Sequence, residues 1–147
     1  MSNNVKEILK AYDAVKMATA TGTDMHNRLG RVVIDVDKMC GDPDLIEKIQ
    51  AVPKLAGLFS VGSMVEVPIA GNIGNRFVSR RIDRLLIDDK TKTVYVLDYK
   101  TDTNQDSFRE RYVAQLHEYA ALLRQIYPKY KIQCMILWTH NWVLESV

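Results

Sequence analysis

The sequence predicts an α/β fold, a mixed sheet with helices on both of its faces, on three observations. Apolar residues recur at helical spacing through the first third of the chain, and from Val61 the period becomes that of strands. A single long helical pattern then separates two strand-like runs, residues 93–99 and 131–138. A helix between two strands is a crossover, and a crossover permits parallel pairing.

The elements follow in order. Val5, Ile8, Leu9, Tyr12 and Val15 recur at helical spacing behind Asn3 or Asn4 as caps, and residues 19–23 form a break rich in Thr and Gly. A second helix is expected from Thr23 or Asp24 toward Met39, stopped by Gly41, with His26 in its first turn. Asp42-Pro43-Asp44, a cap followed by a first-turn proline, opens a short helix carrying Leu45, Ile46 and Ile49. Pro53 ends it, and residues 54–59 have room for one or two more turns. Residues 64–69 read as a short strand ended by Ala70-Gly71, with a turn over 72–75. Residues 77–87 and 93–99 are strand-like around a polar stretch and form a hairpin. Ser107 and Glu110 have the spacing of a capping box, and the helix they open aims Val113, Leu116, Ala120, Leu123 and Ile126 at the core. Residues 131–138 are a further strand and 142–145 a last short one.

With 147 residues, 47% hydrophobic and 26% charged, the chain is expected to be one soluble domain with one well-buried core, residues 1–22 an N-terminal helix and break, 23–147 the core. A net charge of +2 does not announce a nucleic-acid partner, although Arg76, Arg80, Arg81 and Arg84 cluster on one strand. No apolar run approaches membrane-spanning length, and Met1 to Asn4 lack the features of a signal peptide. Cys40 and Cys134 are expected to be buried, reduced and inert, which suits the cytoplasm, and two cysteines cannot hold a four-thiolate iron–sulfur cluster.

The chemistry concentrates on the hairpin. Folding it about Lys90 and Thr91 sets Asp83 opposite Asp98, or one residue off. In the direct register both carboxylates leave one face with β-carbons roughly 5 Å apart, and Lys100 points the same way. Aliphatic neighbours surround both, namely Ile82, Leu85 and Leu86 beside Asp83, and Val96 and Leu97 beside Asp98. Carboxylates so placed are costly unless paired or metal-bound. Oxygen donors of this kind suit Mg²⁺ or Mn²⁺.

The strings Arg81-Ile82-Asp83-Arg84-Leu85, Asp98-Tyr99-Lys100-Thr101 and Gln115-Leu116-His117-Glu118-Tyr119, in that order, resemble the RecB-type nuclease domain of the PD-(D/E)XK superfamily. The resemblance extends to the nuclease domains of the RecB and AddA helicase–nuclease subunits, over about residues 23–138. The resemblance implies a restriction-endonuclease-like fold, with His26, Asp83, Asp98 and the Tyr99 carbonyl as metal ligands and Lys100 as the catalytic lysine. It sets Gln115 and Tyr119 beside the active site and Glu66 at a recurrent acidic position, with Arg81 and Thr101 in support. Three departures stand out: Ile82 replaces the proline of the superfamily name, Arg80 and Arg81 occupy positions where a glycine is frequent, and Asp102 replaces another glycine. The four-cysteine cluster of related branches is missing.

What the resemblance implies is a Mg²⁺- or Mn²⁺-dependent exonuclease acting on single-stranded DNA ends, as the nuclease module of a helicase–nuclease in double-strand break repair and recombination. No Gly-x-x-x-x-Gly-Lys loop occurs, so a helicase motor would lie on a missing segment or another chain. A free-standing nuclease of phage or mobile-element type is the alternative within enzymes. A catalytically silent nucleic-acid-binding module is the alternative outside them.

Overall fold

The computed structural model describes residues 22–147; the helix expected over the first residues lies outside them. Five strands form one sheet in the order β3-β4-β5-β6-β7, where β3 is Met64–Ile73, β4 Arg76–Asp88, β5 Thr93–Lys100, β6 Lys131–Trp138 and β7 Val143–Ser146. β5 and β6 pair parallel, and the remaining pairs are antiparallel. The parallel pair is joined through helix α3, Gln105–Ile126, which is the crossover the sequence predicts. β4, thirteen residues long, pairs with β3 on one side and β5 on the other, so this strand spans the sheet's antiparallel half.

Each face has its own core. On one face α3 buries Leu116, Tyr119, Ala120, Leu122 and Leu123 against Ile82, Leu85, Val94, Val96, Ile136 and Trp138. On the other, helix α1 (described over 22–30), helix α2 (Pro43–Gln50) and a 3₁₀ turn (Ala56–Phe59) cover Leu97, Tyr99, Met135 and Leu137. Asp42 caps α2 by accepting a bond from the Asp44 amide at 2.9 Å, and it also pairs with Arg28, which ties α2 to α1. An α/β fold with helices on both faces is therefore observed.

Several local expectations are corrected. Helix α1 ends at residue 30, and a small hairpin, β1 (Val33–Ile34) and β2 (Met39–Cys40), replaces the rest of the expected helix. The β-branched run Val32-Val33-Ile34 disfavours helix, and the Asp35 amide closes the turn onto the Lys38 carbonyl at 2.8 Å. Cys40 is exposed on this hairpin; only Cys134 is buried. Strand β3 does not stop at Ala70-Gly71 but runs to Ile73, and the turn is Gly74-Asn75 alone, with Gly74 at φ +62°. Gly71 lies beneath α3, where an added β-carbon would come within 3.0 Å of Leu122. The capping box is not formed: α3 starts three residues earlier, behind Asn104, with no side-chain cap. Ile126 is exposed at the far end of that helix.

Arg84 departs furthest from expectation. It is 2% exposed and belongs to no surface basic patch. Its guanidinium donates to the Tyr99 hydroxyl at 2.9 Å, Ser63 at 2.6 Å, and the carbonyls of Leu29 at 2.9 Å and Val32 at 3.3 Å. It also stacks on Phe59, 4.1 Å from the ring centre. The carbonyls at the end of α1 thus find donors on the sheet.

Candidate active site

Between Ile82 and Leu85 the alternation of β4 breaks, since both face the α3 side although they are three residues apart. The β3–β4 ladder pairs Val65 with Arg84 and Val67 with Ile82, and omits the facing residues Glu66 and Asp83. Glu66 holds φ +54°, a left-handed conformation that non-glycine residues rarely adopt. The β4–β5 ladder ends at the same level, at Arg84 opposite Leu97. The direct register therefore holds along the hairpin, and one further step would set Asp83 against Asp98. There the strands part, and side chains replace the backbone bonds.

Asp83 fills the gap. Its Oδ2 accepts the Tyr99 amide at 2.8 Å and lies 3.2 Å from His26 Nε2. The other imidazole nitrogen of His26, Nδ1, is 2.6 Å from the Gly22 carbonyl, so the ring is held at both ends. Burial would raise the Asp83 pKa, but the hydrogen bond and charge of His26 outweigh it and hold the carboxyl below its usual range. The same bond pushes His26 upward against the cost of its burial.

Asp98 has the opposite fate. It is 3% exposed, and burial, reinforced by the charge of Asp83, pushes its pKa up to about 7. Lys100 Nζ lies 2.9 Å from Asp98 Oδ2, yet the angles are not those of a hydrogen bond, and that oxygen has none. The ammonium group is better placed toward α3, where it donates to Gln115 Oε1 at 3.2 Å and lies 4.2 Å from the centre of the Tyr112 ring. Gln115 donates to the Tyr119 hydroxyl at 2.9 Å, and Tyr119 donates to the Arg81 carbonyl at 3.2 Å. One relay thus runs from β4 through α3 to the lysine.

His26, Asp83, Tyr99 and Lys100 line an open cleft of about 890 Å³ together with Glu66, Arg81 and Thr101, while Asp98 lies buried behind it. Glu66 and Arg81 pair across its mouth at 3.3 Å. The structure therefore gathers His26, Asp83, Asp98, Tyr99, Lys100, Gln115 and Tyr119 into one cluster, with Glu66, Arg81 and Thr101 at its rim. Tyr112 was not anticipated from the sequence. It packs on Lys100, donates to Asp102 and stacks between Phe108 and Trp138. Its signal was the spacing 108, 112, 115, 119, a continuous stripe on α3 that includes the Gln and Tyr already singled out.

The donors fit a hard divalent cation in kind. Two carboxylates converge, and a buried oxygen of Asp98 has no hydrogen bond. As the side chains stand, His26 engages Asp83 and Lys100 engages Asp98. Among the described residues no three His, Cys, Asp or Glu side chains surround an ion-sized space.

A family model for the PD-(D/E)XK nuclease superfamily matches residues 45–139, well over half of the chain. No curated protein matches the sequence significantly.

Proposed function

The chain belongs to the PD-(D/E)XK nuclease superfamily, whose members are metal-dependent nucleases, and on that footing we propose that it is a Mg²⁺- or Mn²⁺-dependent exonuclease acting on single-stranded DNA ends. Its residues form one nuclease domain of RecB type, working in the cytoplasm as the nuclease module of a helicase–nuclease in double-strand break repair. The observation that carries this reading is the parting of β4 and β5 at Asp83 and Asp98, with Lys100 held beside them at the floor of an open cleft.

Asp83 and Asp98 would hold the cation, with the Tyr99 carbonyl and His26 completing its protein ligands. When bound, the ion supplies Lewis acidity toward water and toward the phosphodiester. Everything else falls to the chain. Asp98, Gln115 and the Tyr112 face fix the Lys100 ammonium, so its charge meets the developing phosphorane oxygens without reorganising. An arginine there would be too broad and too fixed. Tyr119 keeps the Gln115 oxygen turned toward the lysine by taking the amide's hydrogen. The apolar sheet beneath, with Val96 and Ile136 fully buried, limits water at the rear of the site.

Incubation of linear single-stranded, linear duplex and circular single-stranded DNA with Mn²⁺ tests the proposal. The linear single strand should be degraded from its end and the circle spared. Cleavage of the circle would make the enzyme an endonuclease. Binding without cleavage of any DNA would make the domain a silent binding module.

A further inference from the structure

A second cleft of about 470 Å³ adjoins the first and is lined by Arg80, Arg111, Gln115, Glu118, Lys100 and Tyr112. Lys100 and Tyr112 border both clefts, so the partition between them is the lysine lying 4.2 Å from the tyrosine ring centre. A strand whose scissile phosphate lies at Lys100 has this neighbouring space open to it.

The charges of the second cleft are arranged for an anion. Arg111, Gln115 and Glu118 follow one another at spacings of four and three on one face of α3. Glu118 is bound from two sides, by Arg76 and by Arg80, each at 3.1 Å. The two arginines offset its charge, although its Oε2 is buried with no hydrogen bond, and the pairing holds the Arg80 guanidinium at the cleft wall. Arg111 is different. Among the described residues it has no carboxylate partner, only a loose contact with the Phe108 ring at 5.9 Å. The nearby Arg109, equally basic in sequence, is taken by Glu145 at the other side of the helix. Of these two arginines in the first turns of α3, one is spent on the fold and one faces the cleft.

We propose that the second cleft is a subsite for the backbone phosphate flanking the scissile one on a single-stranded DNA, with Arg111 as its contact; Arg80 lines the wall but is held by Glu118 and the Ser79 carbonyl. This rests on the nuclease reading of the first cleft and adds to it the path of the substrate. Guanidinium groups suit this role because their fork of donors matches phosphate oxygens. The Tyr112 ring offers the sugar or base an apolar wall between the two phosphates. The Lys100 side of the partition handles chemistry, and the Arg111 side fixes register.

Fluorescence anisotropy of a labelled oligothymidylate, titrated with the full chain in Ca²⁺ over a range of salt, tests this. Arg111→Ala should weaken binding about fivefold to tenfold and reduce the slope of log K against log salt by about 0.7, the value for one lost phosphate contact on a single strand. Arg111→Lys should recover most of the slope, and Arg31→Ala, on an exposed residue at the end of α1, should leave it unchanged. In Mn²⁺ the Arg111→Ala loss should appear in KM more than in kcat. A wild type that binds and cleaves, with an unaltered salt slope in Arg111→Ala, overturns the subsite and leaves the nuclease reading intact. A wild type that binds without cleaving overturns the nuclease reading, while the slope still decides the subsite. A wild type that binds no DNA overturns both.

Discussion

Arg84 and Asp98 are both buried charges on adjacent strands of one sheet, 2% and 3% exposed, and the protein treats them in opposite ways. Arg84, on the α1 face, has four hydrogen-bond partners and an aromatic ring beneath it. Asp98, on the α3 face, has a crowding carboxylate, an imperfectly aimed lysine and an oxygen with no hydrogen bond. A satisfied buried charge holds elements together, because removing it strands its partners. An unsatisfied one is a cost that the fold carries for something else. The contrast assigns structure to the arginine and chemistry to the aspartate.

The sharpest way to break the comparison is at Arg84. Arg84→Ala should cost about 3–5 kcal/mol of stability, because it leaves four buried acceptors without their donor, seen as a large fall in Tm. A Tm close to wild type would show that the four bonds contribute little. Lys100→Ala should leave Tm within a few degrees and lower the cleavage rate about 10³-fold, near 4 kcal/mol of transition-state stabilisation. Equal rates in both proteins would remove the lysine from the mechanism.

Asp98→Asn should abolish cleavage and yet stabilise the metal-free protein, by up to about 4 kcal/mol at pH 8. The sign follows from the direction of the shift. The Asp98 pKa rises from 3.8 in the unfolded chain to about 7 in the fold, so the folded state holds the proton more tightly. The stability that this proton confers is complete below about pH 4 and is lost as pH rises toward 7. The advantage of the variant should therefore be near zero in acid, grow across that window and stay level above it. Thermal melts against pH measure this directly. Adding Mn²⁺ should raise the Tm of the wild type and leave that of the variant nearly unchanged, because only the first binds the ion in its folded state.

The smallest effect is expected at Tyr112. Tyr112→Phe keeps the ring beneath Lys100 and loses the bond to Asp102, so kcat should fall less than threefold, under about 1 kcal/mol. Tyr112→Leu removes the ring as well, and a further drop in kcat at constant KM would separate the ring's part from the hydroxyl's. Equal kcat in the two variants would show that the ring face does nothing for the lysine.

Much of this was legible in the chain itself. The change of period near Val61, the two strand runs and the crossover helix sufficed for a mixed sheet with helices on both faces, because burial of apolar residues at two or 3.6 residue intervals allows little else. Asp83, Asp98 and Lys100 stood out for a related reason: charges among β-branched and aliphatic residues on strands are costly, and the cost is visible in the order of residues. His26, Gln115 and Tyr119 became visible only through resemblance, since a lone histidine or a Gln and Tyr four apart carry no such penalty.

Tertiary structure alone decided the rest. Nothing local distinguishes Arg84 from Arg80 or Arg81 on the same strand; which one is buried depends on where β4 breaks its alternation and on carbonyls contributed by α1, more than fifty residues earlier. Likewise Arg109 and Arg111 are equivalent in sequence, and only the distant Glu145 separates them. Local patterns record what each segment must bury. The partners that satisfy a buried charge come from remote segments, so whether it is bound or left in need of a ligand is settled by the packing of the whole chain.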